Sequence, residues 1–128
     1  MTVKSYTEIA EKKKATRDEK FIKDWLIPHE KLPKADVKDV LNWPVESGFL
    51  SPHETNITEC DLPTISKRIK SKDWTAFEVT SAYCHRASIA HQLVNCLSEV
   101  FFEEGLARAR ELDEIYQETG ELVGPFHG

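Results

Sequence analysis

The quartet Thr75-Ala76-Phe77-Glu78 constrains this chain more than any other feature. A threonine followed three residues later by a glutamate can trade hydrogen bonds with the orphan N–H groups of a helix N-terminus, so it fixes where a helix begins. Behind it Val79, Ala82, Tyr83, Ala90, Leu93 and Val94 recur along one side for about four turns, which predicts a long amphipathic helix. A chain with such an element must bury that stripe against other elements.

Similar signals place the neighbours. Ser51-Pro52-His53-Glu54 is a second capping box, with proline at the first helical position, directly after the apolar pair Phe49-Leu50. After Asp61, Leu62, Ile65 and Ile69 recur at spacings of three and four up to Lys70-Ser71-Lys72, predicting another short helix. Residues 5–19 are strong helix formers, but only Tyr6, Ile9 and Ala10 are apolar, so this helix must lean on something else. Pro28, Pro33 and Pro44 interrupt residues 21–45, predicting an extended connection that hugs the surface. Periodicity leaves residues 95–101 open between a buried strand and a continuation into the next helix. From Phe102 onward, Leu106, Ala109, Leu112 and Tyr116 face one way, and Gly120 supplies the stop. The sequence then runs into Leu122-Val123-Gly124-Pro125-Phe126-His127-Gly128, a glycine-bounded turn.

The length of 128 residues suits one modest domain, and 40% apolar with 30% charged residues is a globular balance. The net charge of −5 is spread, so the chain lacks an electrostatic footprint for nucleic acid. The basic run Lys12-Lys13-Lys14 with Arg17 is flanked by Glu8, Glu11, Asp18 and Glu19 and reads as a solvated helix face. Cys60, Cys84 and Cys96 are odd in number and lack CxxC spacing, which argues against a disulfide framework and a zinc knuckle. The charged N-terminus has no apolar signal-peptide core, and no stretch reaches the length of a membrane span. A cytoplasmic protein without a membrane partner is the expectation.

Five places could be mistaken for a site. Cys84 and His85 are adjacent, but successive helical residues point about 100° apart and cannot form a nucleophile–base pair. Cys84 and His91 share a helix side, yet zinc needs three or four ligands and no close third is visible. His127 has no nucleophile at a telling spacing and reads as part of a turn. Arg86 projects into the apolar stripe, where its guanidinium needs carboxylate or carbonyl partners, and reads as structural. Asn95 and Ser98 border the undecided segment and suit capping. No catalytic, cofactor-binding or metal-ligating residue is assigned, and no cofactor.

Three stretches carry a family likeness: Ser47-Gly48-Phe49-Leu50-Ser51 with Ile57-Thr58-Glu59; residues 73–80 through Asn95-Cys96-Leu97 to Leu112-Asp113; and Gly124-Pro125-Phe126-His127-Gly128. In order and spacing they resemble the N-terminal part of fungal, acetamidase-like members of the amidase signature family. The likeness runs from about Thr7 to Gly128, with Phe126 where the family more often has leucine. It implies an α/β fold in which a mixed sheet is wrapped by helices, and it implies hydrolysis of carboxamides to acid and ammonia or amine. It further implies a serine nucleophile, a second serine on a cis peptide, a neutral lysine and backbone N–H groups for the oxyanion. In relatives the lysine follows the glycine-bounded turn and the serines come later, so this stretch holds none of them.

The expectation is therefore a partial amidase domain over residues 1–128, with an N-terminal helix and extended connection over 1–45 and the helical start of the amidase domain over 46–128. By itself it should be mainly α, about four or five helices with at most one or two short strands, and catalytically inactive. Its partner would be the missing C-terminal amidase portion or an amidase subunit, and an amide substrate would concern only the complete enzyme. The alternative is a small non-catalytic helical protein that binds a partner through its apolar stripes. Either way residues 96–102 would be left with unpaired strand edges and exposed aromatic surface.

Overall fold

A computed structural model of the chain describes residues 5–127. Six α-helices occur among them: α1 (Tyr6–Glu19), α2 (Trp43–Glu46), α3 (Pro52–Thr58), α4 (Leu62–Lys70), α5 (Ala76–Val94) and α6 (Phe102–Thr119). Single 3-10 turns at Lys23–Trp25 and His29–Lys31 join α1 to α2. No strand is formed among the described residues.

Local chemistry sets most of the boundaries. Thr75 Oγ1 accepts Glu78 N–H (3.0 Å) while Glu78 Oε2 accepts Thr75 N–H (2.8 Å), and Ser51 and Glu54 repeat this reciprocal pair at α3. Asp61 caps α4 through Thr64 N–H (2.9 Å). α5 ends on Asn95 at φ 51°, a left-handed conformation that asparagine tolerates better than most residues. α6 ends on Gly120 at φ 70°.

Two expectations are corrected. The connection over residues 21–45 is less extended than the prolines imply: Pro44 lies in the first turn of α2, where its fixed φ suits a helix and its missing N–H costs nothing. Residues 96–101 form neither a strand nor a helical continuation. Asn95 closes α5, no strand among the described residues runs alongside to pair with the segment, and α6 begins at Phe102. Phe101 does point outward, as foreseen, whereas Val100 and Phe102 are buried against Phe21.

α5 is the central element, packed against both α3 and α6. Its buried line is Ala76, Val79, Ala82 and Ile89, with Ser88 also buried, whereas Tyr83 and Val94 of the expected stripe are exposed. The helix is flanked on more than one side, so a single stripe does not describe it. Apolar side chains gather in four clusters along its length. Ile57, Ile65, Ile69, Trp74, Val79 and Ala82 join α3, α4 and α5, and each large aliphatic residue buried there contributes about 1.5–3 kcal/mol. Ile27, Leu50 and Ile89 form another, Phe21, Val100 and Phe102 a third, and Ala76, Ala109 and Leu112 the fourth.

α1 buries no residue. It leans on the segment after α5 through polar groups: Arg17 donates to the Leu97 carbonyl (3.0 Å), Lys13 pairs with Glu99, and Lys20 lies 3.5 Å from Glu104. The basic run is thus partly engaged rather than wholly solvated.

Candidate functional site

Helix α5 carries most of the titratable groups that attract attention, and the fold separates them. His85 Nδ1 donates to Glu54 Oε1 across α3 and α5 (2.6 Å), and its ring stacks on Trp25 at 5.1 Å between centroids. Glu54 also accepts Ser51 N–H within the α3 capping box (2.9 Å). Burial opposes its ionisation, but the hydrogen bonds from Ser51 and His85 outweigh that and hold its carboxyl below the ordinary glutamate range. An imidazole oriented by a carboxylate is two parts of a hydrolytic triad; the third part is missing here, because the neighbouring hydroxyl, Ser51 Oγ, is occupied as a helix cap.

Cys84 packs against the cluster of Phe21, Val100 and Phe102, and burial pushes its thiol pKa up. An activated cysteine needs the opposite shift. His91 stacks on Phe21 (5.0 Å), and its Nδ1 accepts Leu97 N–H (3.0 Å). Burial first, and then the positive charge of Arg17, lower the His91 pKa. Among the described residues no three His, Cys, Asp or Glu side chains converge as metal ligands. Arg86 is half-buried and spans α5 to α3, donating to Thr58 Oγ1 (2.7 Å) with Glu59 at 3.7 Å. Asn95 caps α5, while Ser98 lines a shallow crease beside Lys13 and Arg17.

Two side chains that sequence reasoning missed tie distant segments together. Gln92 donates to the Trp25 carbonyl (2.9 Å) and accepts Ile27 N–H (2.7 Å), so one side-chain amide pairs with the connecting segment as a neighbouring strand would. Asp113 of α6 accepts both Ala76 N–H (2.7 Å) and Phe77 N–H (2.9 Å), the free donors at the start of α5. Their partners are tens of residues away in sequence, beyond any local signal.

The least self-contained region is the turn over residues 122–127. It lies beside α4 and α6, with Ser66 Oγ donating to the Pro125 carbonyl (3.3 Å). A cleft of about 280 Å³ lined by Leu62, Ile65, Val79 and Phe126 opens on one side. Another of about 590 Å³, lined by Thr80, Leu112 and Val123, opens on the other. His127 borders both; its Nδ1 accepts Val123 N–H (3.1 Å), and its ring meets Tyr116 edge-on at 5.7 Å. It is a turn residue, as the sequence suggested; Gly128 beside it lies outside the described residues.

Comparison with known proteins gives this arrangement a context. The amidase family model matches residues 78–128. The chain is 37% identical over 128 residues to a putative amidase, kk1C, of Curvularia clavata, and 46% identical over 129 residues to the putative amidase C550.07 of Schizosaccharomyces pombe; each alignment covers 100% of this chain and 24% of the relative. An acetamidase of Emericella nidulans is 40% identical over 97% of this chain and 22% of its own length. Among solved structures, a fatty acid amide hydrolase superposes with a TM-score of 0.87 at 32% identity, covering 97% of this chain and 22% of that one. The chain spans about a quarter of the length of these relatives, at their N-terminal end.

Proposed function

The chain belongs to the amidase family, and from that premise we propose that the complete protein hydrolyses carboxamides, adding water across the C–N bond to give a carboxylic acid and ammonia or an amine. Within it, these residues form the helical entry to the catalytic domain: 1–45 an N-terminal helix and connection, 46–128 the start of the domain proper. The observation that carries this reading is that amidases match the chain from end to end, always through their N-terminal part.

The 128 residues contribute scaffold and no group to the reacting atoms, and they bind no cofactor or metal. His85 and Glu54 are consumed in joining α3 to α5, the half-buried Cys84 is held as a thiol by its raised pKa, and Arg86 is committed to Thr58. The partner of this segment is the C-terminal amidase portion, and a small amide is the substrate of the whole. We place the complete protein in the cytoplasm, where Cys60, Cys84 and Cys96, all free, remain reduced. No helix among the described residues is long and apolar enough to cross a membrane.

Ammonia release from acetamide, propionamide and benzamide tests the reading. The complete amidase should turn over at least one of them, and the purified 128-residue chain none. Turnover by the chain alone that a single substitution within it abolishes would overturn the assignment of scaffold.

A further inference from the structure

We propose that the apolar end of the molecule around residues 122–127 seats the amidase body that follows this segment in the relatives, with His127 Nε2–H donating to an acceptor oxygen of that body. The inference rests on the family-based reading above and names the contact through which the segment joins the whole.

His127 is 6% exposed, and Val123 N–H already donates to its Nδ1. A nitrogen that accepts cannot carry the proton of a neutral imidazole, so that proton lies on Nε2 and makes it a donor. Nε2 is buried, yet no partner for it exists among the described residues. A buried unsatisfied donor costs about 1–3 kcal/mol, and folded proteins leave few of them. The missing partner is therefore an acceptor: a backbone carbonyl, a carboxylate or an amide oxygen.

The surroundings indicate the size of what brings it. Leu62 is 68%, Val123 57% and Phe126 84% exposed, and all three rim the clefts that flank His127. Contiguous large apolar side chains of this kind mark an interaction surface. The clefts share Pro125, Phe126 and His127, but one extends to α4 and the other to α6, so covering both requires a broad polypeptide surface rather than one small ligand. In the relatives about three quarters of the polypeptide lies beyond the matched part, and the fatty acid amide hydrolase holds a segment of this shape within a much longer chain. That body is the occupant.

The test uses a chimera in which these residues replace the matching part of the S. pombe relative, compared with the 128-residue chain. In the chimera, a chain about four times this long, His127→Leu should lower Tm by about 1–3 °C for the lost hydrogen bond. His127→Gln, which can still present an N–H, should recover most of it, and Phe126→Asp should lower Tm at least as far as His127→Leu. In the chain alone His127→Leu should lower melting by less than in the chimera, since only the bond from Val123 N–H is lost there, and Phe126→Asp, at an exposed side chain, should not lower it. Hydroxyl-radical labelling of Phe126 should be strong in the chain and suppressed in the chimera, a readout that survives even if a variant fails to fold. Equal effects in chain and chimera, or full labelling of Phe126 in both, would overturn the proposal. So would a dimer of the chain that Phe126→Asp dissolves, since a second copy would then be the occupant. Ammonia release by the unsubstituted chimera reads separately: protection of Phe126 without turnover leaves the docking surface standing and removes the hydrolytic assignment.

Discussion

Asp113 closes the first turn of α5 from outside the helix, its two oxygens taking the N–H groups of Ala76 and Phe77. Thr75 Oγ1 already takes the Glu78 N–H and Glu78 Oε2 the Thr75 N–H, so four of the donors at this end are satisfied by side chains, two through local chemistry and two through a helix met much later in the chain. Hydrogen bonds to a charged acceptor contribute about 1.5–3 kcal/mol, so Asp113→Ala should speed amide exchange at Ala76 and Phe77 by about 10- to 100-fold, measured by hydrogen–deuterium exchange. Unchanged exchange would mean that the capping box suffices. His91 makes a second prediction at this scale. Its Nδ1 must stay unprotonated to accept Leu97 N–H, and its pKa is lowered by burial and by Arg17. The unfolded chain therefore binds that proton more readily than the folded one, and stability falls as pH drops below the ordinary histidine value of about 6.5, levelling once the folded-state value is passed. Urea midpoints between pH 7.5 and 5.5, compared with those of His91→Gln, should show a shallower decline in the variant.

Among the elements, α6 contains a glycine that its helix does not require. A Cβ on Gly105 would meet only Thr80 Cγ2, at 3.8 Å, an ordinary van der Waals distance. Gly105→Ala should therefore stabilise the chain by about 0.5–1 kcal/mol through the lower backbone entropy of the unfolded state, raising the urea midpoint. A loss of stability would show that α5 and α6 approach more closely than this geometry allows. α1 behaves differently: with no buried residue, it depends on Arg17, Lys13 and Lys20 reaching the segment after α5. Exposed ion pairs contribute little and weaken with salt, so this helix is the element most loosely held.

At the scale of the molecule, four apolar clusters strung along α5 take the place of one continuous core. Clusters of a few side chains each supply little cooperativity, and the exposed rim of Leu62, Val123 and Phe126 adds apolar surface that no described residue covers. The 128-residue chain should accordingly melt over a broad range, with a van't Hoff enthalpy below the calorimetric one. A sharp two-state transition from a monomer would contradict this picture.

The starts of α3, α4 and α5 and the stop of α6 were legible in the residues themselves, because a cap is made by groups three or four positions apart and needs no tertiary partner. The family likeness was legible for a similar reason, since ordered short motifs survive in sequence without reference to contacts. The tertiary structure alone decided which groups meet: Gln92 with Trp25 and Ile27, Asp113 with the head of α5, His85 with Glu54. It alone showed residues 96–101 without a strand, because a strand exists only when a second backbone lies alongside to accept its hydrogen bonds. And it alone exposed the orphan N–H of His127, since whether a buried donor is satisfied depends on every atom around it, not on its neighbours in the chain.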